Sequence, residues 1–237
     1  MLDTTGLGGR FGNRFFQNMV VDILSRKFNL PARYQYLEMC RSLGVDLFCS
    51  GTEQYTDTMT VTEENVKLIM NIDSIDVNLS LDRNAYFQTP FISGKIRSSL
   101  DIKKIKEYNP HSSRYDNNTD VFVHVRIGDL ENKNLTPGID YYEKILNSIT
   151  FTHGYISTDT PDHPMVDHLV QKYNLHYFLD NEVATIQFGS TCRYIVTASG
   201  TFSWIIALLG FNSHVYYPKD YLTWHGDIYG FPDWKGV

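Results

Sequence analysis

The chain lacks the features that mark several common classes of protein. It has only three cysteines in 237 residues, Cys40, Cys49 and Cys192, and no Cys-x-x-Cys pair. An odd number at such loose spacing favours reduced thiols and argues against a disulfide framework or a zinc site. No apolar run approaches the roughly 18 residues of a transmembrane helix, and no basic start precedes an apolar stretch. We therefore expect no membrane span, no signal peptide and a cytoplasmic location.

Positive charge is also scarce, with 21 Lys and Arg against 27 Asp and Glu and a formal net charge of −6. A nucleic-acid-binding protein usually carries a basic surface, so the composition argues against a nucleic-acid partner. It leaves room for a small anionic ligand held by one or two arginines.

Apolar and aromatic residues are well represented, at 42% and 14%, and 16 of the aromatics are tyrosines. The apolar fraction is enough for a packed core, and tyrosine suits either that core or a cleft that binds sugars or bases. The length allows one large domain or two compact domains of about 100–120 residues each. Residues 109–120 form the most linker-like stretch, which predicts domains at 1–115 and 116–237.

The second half alternates between short apolar runs and helical patterns. This rhythm predicts an α/β fold with a parallel sheet covered on both faces. The predicted strands are 121–125, 154–157, 175–178, 193–197 and 214–217, and the predicted helices are 141–148, 164–173 and 202–209. Ligands of such sheets bind at the carboxyl ends of the strands, so the residues just after each strand are the first candidates for a site.

The first half gives fewer signals. Apolar residues at helical spacing predict a helix over 14–28, which follows a glycine-rich loop at Gly6–Asn13. A short strand is predicted at 44–49 and a basic helix at 100–108. Residues 66–72 fit a further strand, and the overlapping residues 63–70 also fit a helix. The glycine-rich loop is neither a dinucleotide fingerprint nor a P-loop. It leads into a helix N-terminus, which favours an anion, and Arg10 and Arg14 add positive charge; a plain tight turn is the alternative interpretation.

Two polar segments follow predicted strands of the second half. The first is His124-Val125-Arg126-Ile127-Gly128-Asp129, in which Arg126 can bind a phosphate with its planar fork and Asp129 can orient that arginine or act as a base. The second is Ser199-Gly200-Thr201-Phe202-Ser203-Trp204, whose hydroxyls and helix-terminal amides are typical of a phosphate site. A structural Arg–Asp pair and an ordinary helix cap are the alternative interpretations.

These segments resemble the motifs of the fucosyltransferase superfamily. Gly9-Arg10-Phe11-Gly12-Asn13 is similar to the first motif of protein O-fucosyltransferases and, with Gly8 and Gln17, to the start of α-1,2-fucosyltransferases. The segment His124–Asp129 resembles the His-x-Arg-Arg-Gly-Asp motif shared across the superfamily. Ile156-Ser157-Thr158-Asp159 and residues 192–204 are similar to two further segments of the α-1,2 group. The four matches keep the family order and span residues 8 to 204.

The resemblance implies a GT-B arrangement of two facing Rossmann-like halves with parallel sheets, an acceptor-side half (1–115) and a nucleotide-sugar-binding half (116–237). It implies an inverting transferase that moves fucose from GDP-fucose to a glycan hydroxyl without a metal or other cofactor. The residues expected to act in catalysis are Arg126, Asp129 and Asn13. The residues expected to bind the donor are Gly12, Asn13, His124, Arg126, Asp159, Ser199, Gly200, Thr201, Phe202 and Ser203.

The absence of any Asp-x-Asp sequence agrees with this expectation, since metal-dependent transferases commonly bind a divalent ion on that motif. Arg126 and the helix-terminal amides would then stabilise the negative charge that develops on the leaving phosphate. Such a contact commonly contributes a few kcal/mol. The chain departs from the family pattern at Ile127, where the α-1,2 group has a second arginine, and at Arg14, where glutamine is usual.

Three other functions fit the sequence. The donor can be another nucleotide-activated deoxyhexose, such as a rhamnose. The chain can be a non-catalytic domain that binds a nucleotide sugar or a glycan. It can also be an NAD-binding oxidoreductase or epimerase. Two features argue against that function: the glycine fingerprint is broken, and no acidic residue follows a clear second strand. The aromatic segment 221–234 fits either a sugar-binding platform or a tail that packs on the core.

Overall fold

The computed structural model describes residues 1–133, 135–220 and 227–237. These residues form two compact units, Met1–Asp101 (unit 1) and Ile102–Val237 (unit 2). The division lies earlier in the chain than the boundary after residue 115 that composition suggests, because residues 102–115 belong to unit 2.

The polar stretch 109–120 is an integral part of unit 2 and not a linker. The Asn109 side chain donates a hydrogen bond to the Gln187 carbonyl at 2.8 Å. Arg114 lies 4.5 Å above the Phe188 ring and forms a 2.9 Å ion pair with Asp120. The abundance of short polar side chains in this stretch therefore reflects turns and local hydrogen bonding rather than a flexible connection.

Unit 1 contains one long helix, three shorter helices and two separate two-stranded parallel sheets. One sheet is formed by the first two strands of the unit and the other by its last two strands. Its elements are β1 (Leu2–Asp3), α1 (Phe11–Phe28), β2 (Ala32–Arg33), α2 (Leu37–Ser42), β3 (Thr58–Val61), α3 (Val66–Ile69), β4 (Asn78–Leu81) and α4 (Pro90–Ser99).

Helix α1 is buried along most of its length, which explains why apolar residues occupy nearly every turn. It begins at Phe11, so that Gly12 and Asn13 lie in its first turn and not in the preceding loop. It ends at Phe28 and is capped by Asn29, which has a left-handed backbone (φ 53°), and Pro31 follows as a stop signal. The helix predicted from apolar spacing is thus confirmed, with an earlier start.

Other predictions for unit 1 have mixed outcomes. The strand predicted at 44–49 is wrong, because this backbone is satisfied outside any sheet. The Val45 amide donates to the Cys40 carbonyl at 2.9 Å and the Phe48 amide to the Asp22 carboxylate at 2.7 Å. Of the two alternatives for 63–72, the helix is correct. Helix α4 was not predicted, although its Thr89 cap and Pro90 start are recognisable signals.

Unit 2 is organised around a six-stranded, entirely parallel sheet. Its elements are α5 (Ile102–Tyr108), a 3-10 helix (Ser112–Arg114), β5 (Val121–Val125), a 3-10 helix (Gly128–Lys133), α6 (Ile139–Leu146), β6 (Gly154–Thr158), α7 (Pro164–Tyr173), β7 (Leu175–Tyr177), α8 (Glu182–Gly189), β8 (Tyr194–Val196), α9 (Thr201–Leu208), β9 (His214–Tyr217) and β10 (Lys235–Gly236). The five strands and three helices predicted for the second half are confirmed within a few residues. The basic helix predicted at 100–108 is confirmed as α5. Helix α8 and strand β10 were not predicted.

The strand order of this sheet is β10-β9-β8-β5-β6-β7. The first strand, β5, lies in the middle; the chain builds outward through β6 and β7 and then returns to the other side of β5 with β8. This is the order of a doubly wound Rossmann-like sheet, and it places the switch point between β5 and β8.

Helices cover both faces of the sheet. Val123 points into the cluster that contains Tyr142 of α6 and Leu169 of α7. Phe122, one position earlier, points to the opposite face, where its ring meets that of Phe188 in α8 at 6.2 Å between centroids. Burial on both faces explains why β5 is a continuous run of buried residues rather than an alternating pattern.

Candidate functional site

The two polar segments of unit 2 meet at the switch point of the sheet. Strands β5 and β8 are neighbours, with Val123 paired to Val196. The Arg126–Asp129 segment follows the carboxyl end of β5, and the Ser199–Ser203 segment follows the carboxyl end of β8. In open parallel sheets, the crevice between two such strand ends is where ligands bind. The structure therefore brings together two segments that lie more than seventy residues apart in the chain.

His124 links the two segments. Its Nδ1 lies 2.6 Å from the Ser203 hydroxyl, and its ring centroid lies 5.3 Å from that of Phe202. The side chain is 7% exposed. The pKa of His124 is lowered to about 4, chiefly by burial; Asp159 acts in the opposite direction and Arg126 in the same one. The imidazole is therefore neutral near neutral pH and does not add a second positive charge beside Arg126.

Asp159 holds the turn that follows β5. Its Oδ1 accepts a hydrogen bond from the Ile127 amide at 3.0 Å, and the neighbouring Thr160 hydroxyl accepts one from the Gly128 amide at 3.2 Å. A Cβ at Gly128 would lie 2.6 Å from Asp159 Oδ2, closer than real Cβ contacts. A side chain at Gly128 would therefore have to displace the Asp159 carboxylate, which follows β6 and lies against the backbone of this glycine.

The turn presents Arg126 beyond the end of β5. The guanidinium donates a 2.5 Å hydrogen bond to Asp129, and the two side chains are 19% and 49% exposed. Asp129 is therefore in position to orient Arg126, one of the two roles that the sequence suggests for it. Ile127 points the other way and is 1% exposed within the core beneath α6 and α7, which explains why this position is apolar.

The Ser199–Ser203 segment opens α9, but its hydroxyls are not all available to a ligand. The helix N-cap is Gly200, with φ 114°, and not one of the hydroxyl residues. The Ser199 hydroxyl donates to the Leu135 carbonyl at 2.6 Å, and Ser203 contacts His124. Helix α9 begins at Thr201, and the amino end of a helix favours negative charge. This end of α9 is the anion-binding feature of the segment.

Two tyrosines that sequence reasoning did not assign to the site support this loop. Tyr141 donates from its hydroxyl to the Thr197 carbonyl at 2.8 Å. The Tyr229 hydroxyl lies 2.7 Å from the Gly200 carbonyl and 3.1 Å from the Ala198 carbonyl. Both hydroxyls hold backbone carbonyls of the segment after β8. No local sequence signal identifies them, because each contact joins residues far apart in the chain.

The C-terminal aromatic segment packs on unit 2 where it is described. Ile228, Tyr229 and Trp234 are buried, and the Trp204 indole donates to the Ile228 carbonyl at 2.8 Å. The alternative of a tail that packs on the core is therefore correct for 227–234. Residues 221–226, the other part of the suggested sugar platform, lie outside the described residues.

The glycine-rich segment and the remaining predicted residues, Gly12 and Asn13, belong to unit 1. Gly9 has φ 116°, and a Cβ there would lie 2.9 Å from the Asn13 Cβ, so glycine is required for two reasons. The Asn13 side-chain oxygen accepts a 2.9 Å hydrogen bond from buried Gln88. Asn13 is thus held in a fixed orientation in the first turn of α1.

Two further observations concern the described ranges alone. Within residues 1–133, 135–220 and 227–237, no three His, Cys, Asp or Glu side chains converge in the way that a metal ion requires. Across the same ranges, no helix combines the length and the apolar character needed to cross a bilayer.

Comparison with known proteins adds no assignment. The chain matches no protein-family model and no curated protein. A function can therefore be proposed only from the motifs and the geometry given above.

Proposed function

We propose that the chain is a metal-independent, inverting glycosyltransferase that transfers a deoxyhexose, fucose in the first instance, from its GDP-activated form to a glycan hydroxyl. One observation carries the proposal: Arg126 and the amino end of α9 lie at the carboxyl ends of adjacent strands, on either side of the switch point. A guanidinium and a helix N-terminus form a suitable pair of groups for a diphosphate.

The chemistry follows from this arrangement. An acceptor hydroxyl attacks the anomeric carbon, the bond from that carbon to the nucleoside diphosphate breaks, and the hydroxyl proton passes to water. Negative charge grows on the leaving oxygen. Arg126, oriented by Asp129, and the first amides of α9 stabilise that charge without reorganising, a contribution commonly worth a few kcal/mol. His124, which is neutral, contacts the Ser199–Ser203 segment through Ser203. Asp159 holds the turn after β5 through the Ile127 amide. In the proposal, Asn13 contributes from unit 1, and the two units adopt the GT-B arrangement that the motifs imply.

One observation favours a rival, an NAD-dependent oxidoreductase or epimerase. Asp159 directly follows β6, the second strand of the sheet, where dinucleotide-binding proteins carry an acidic residue for the ribose. Unit 2 therefore does carry an acidic residue after its second strand. The argument that the chain lacks one does not count against the rival. The turn after β5 nevertheless lacks the glycine fingerprint, and Asp159 Oδ1 already accepts the Ile127 amide.

The proposal is tested by calorimetric titration of the whole chain with GDP, UDP, dTDP, GDP-fucose and NAD in the presence of EDTA. We expect GDP and GDP-fucose to bind and Arg126→Ala to weaken both roughly tenfold or more, as for loss of a charge-assisted contact. Arg193→Ala is the matched control, because Arg193 immediately precedes β8 and so lies at the opposite end of the same sheet.

Each outcome separates the alternatives. Tighter binding of another nucleotide would transfer the proposal to a different activated deoxyhexose, such as a rhamnose donor. Binding of NAD alone would favour the oxidoreductase. Binding of GDP-fucose that is never hydrolysed or transferred would identify a non-catalytic domain. No binding, or binding only with a divalent ion, would reject the proposal.

A further inference from the structure

His124 lies between the two groups that the proposed donor site uses to bind a diphosphate. It belongs to β5, and Arg126 follows just past the end of that strand. On its other side, Nδ1 of His124 lies 2.6 Å from the hydroxyl of Ser203, which is in the first turn of α9. The side chain is buried. The imidazole is thus held against the first turn of the helix, and the charge of Arg126 acts on it.

The two segments of the site carry no net fixed charge. The segment His124–Asp129 contains one cation, Arg126, and one anion, Asp129, which form an ion pair, and the segment Ser199–Ser203 contains no ionisable side chain. Asp159, after β6, adds a further negative charge. A sugar nucleotide brings a dianionic diphosphate. The site with its donor therefore has an excess of negative charge, which the amino end of α9 offsets only in part.

His124 is a group of this cluster that can respond to the excess by changing its own charge. Burial lowers its pKa to about 4; Asp159 acts against this shift and Arg126 in its favour. Tyr229, which reaches Ser203 from the C-terminal segment, stays neutral because burial raises its pKa. A bound diphosphate acts in the same direction as Asp159 and offsets the effect of Arg126. Negative charge close to an imidazole favours the protonated ring.

The contact with Ser203 suits both protonation states of the ring. A hydroxyl can donate to an unprotonated ring nitrogen or accept from a protonated one. Nδ1 of His124 and the Ser203 oxygen are already at hydrogen-bond distance, so protonation requires at most a rotation of the hydroxyl and no movement of β5 or α9. The proton comes from solvent and returns to it when the nucleotide leaves.

We infer that donor binding is linked to proton uptake at His124, so that the site binds its sugar nucleotide more tightly as the pH falls. The inference rests on the proposed function, because it requires a diphosphate in the crevice. The imidazole is neutral above both its free and its donor-bound pKa and charged below both, and between the two values binding adds a proton. Affinity should therefore be constant above roughly pH 7 and increase towards lower pH.

The test is calorimetric titration of the whole chain with GDP-fucose in EDTA at about pH 7.5 and about pH 5.5, in two buffers of different protonation enthalpy at each pH. GDP-fucose is the suitable probe, because neither of its phosphates has a second proton to lose, whereas the terminal phosphate of GDP titrates in this range. The difference in enthalpy between the two buffers gives the number of protons taken up. At the lower pH we expect about half a proton or more and roughly threefold tighter binding, and at the higher pH almost no uptake.

His124→Gln removes the titrating group and keeps a side chain that can bond to Ser203. Whatever its affinity at the higher pH, this variant should take up no proton and bind equally well at both pH values. His153→Gln is the matched control, because His153 is exposed, pairs with Asp120 and immediately precedes β6, at the opposite end of the sheet. It should keep the proton uptake of the wild type. If His124→Gln fails to fold, the ring nitrogen NMR signals of His124 in the wild type report whether GDP-fucose protonates it at the lower pH.

The outcomes separate this inference from the proposed function. Binding of GDP-fucose with equal affinity at both pH values and without proton uptake would overturn the inference and leave the transferase standing. Proton uptake that persists in His124→Gln would assign the titration to another group, such as Asp129 or Asp159, and would also overturn it. Failure of GDP-fucose to bind at either pH would reject both proposals.

Discussion

The carboxylate of Asp159 lies against the backbone of Gly128, so that a Cβ added to that glycine would meet its Oδ2 at 2.6 Å. The same carboxylate accepts the Ile127 amide through Oδ1 at 3.0 Å. Asp159, which the motif resemblance suggests as a nucleotide ligand, thus supports the turn that carries Arg126. The relationship predicts how substitutions at the two positions combine.

Gly128→Ala should displace the turn and reduce GDP affinity roughly tenfold, with a loss of about 1–3 kcal/mol in the free energy of unfolding, the usual cost of overpacking. Calorimetry and urea unfolding measure the two effects. In Gly128→Ala/Asp159→Ala the clash is absent, so the double variant should lose less stability than the sum of the single variants. Strict additivity would contradict the proposed contact.

Gly94→Ala is the control. Gly94 lies within α4, and a Cβ at this position would meet nothing within 4 Å. This substitution should therefore stabilise the chain slightly.

His124 should make stability depend on pH. Its pKa falls from 6.5 to about 4 on folding, so the unfolded chain binds a proton more readily than the folded chain. Stability is therefore unaffected above the unfolded pKa and is lost as the pH falls towards the folded pKa. Between roughly pH 7 and pH 5, the wild type should lose about 2 kcal/mol more than His124→Gln in urea unfolding. Parallel pH profiles for the two proteins would show that His124 is not buried as a neutral group.

Tyr229→Phe should loosen the loop after β8. The hydroxyl that it removes lies 2.7 Å from the Gly200 carbonyl, at the N-cap of α9. We expect a loss of about 1 kcal/mol in stability, the typical value of a buried hydrogen bond, together with weaker GDP binding. Tyr173→Phe provides the matched control, since its hydroxyl bonds to the exposed Asn147 side chain at 2.9 Å. Equal effects of both substitutions on GDP affinity would argue against a role for Tyr229 in the site.

The three cysteines should differ in reactivity. Burial raises the pKa of Cys40 and of Cys192 to about 12, and both thiols are free but inaccessible, whereas Cys49 is exposed. Titration of the native chain with a disulfide reagent should therefore label a single fast thiol, which Cys49→Ser removes, and denaturant should expose the other two. Fast labelling of a second thiol in the native chain would contradict the packing around Cys40 or Cys192.

Strong local patterns made much of unit 2 predictable. Strands β5 and β9 and helix α7 have the predicted bounds, because β-branched runs and a proline at the start of α7 are signals that lie within the element itself. Short elements without such signals, including β10 and the two-residue strands of unit 1, were not predicted. The strand predicted at 44–49 failed because an apolar run cannot show that a side chain, Asp22, satisfies its backbone.

By itself, the sequence determined the α/β class, the parallel strands of unit 2 and the polar segments that follow two of them, since each depends on neighbouring residues. Only the tertiary structure decided that β5 and β8 are adjacent, that Asp159 supports the Arg126 turn, that Ser203 contacts His124 and that Arg14 is buried. These relationships follow from the order of strands and the packing of helices. They join residues far apart in the chain, and no local pattern of residues specifies which distant partner a buried polar group will meet.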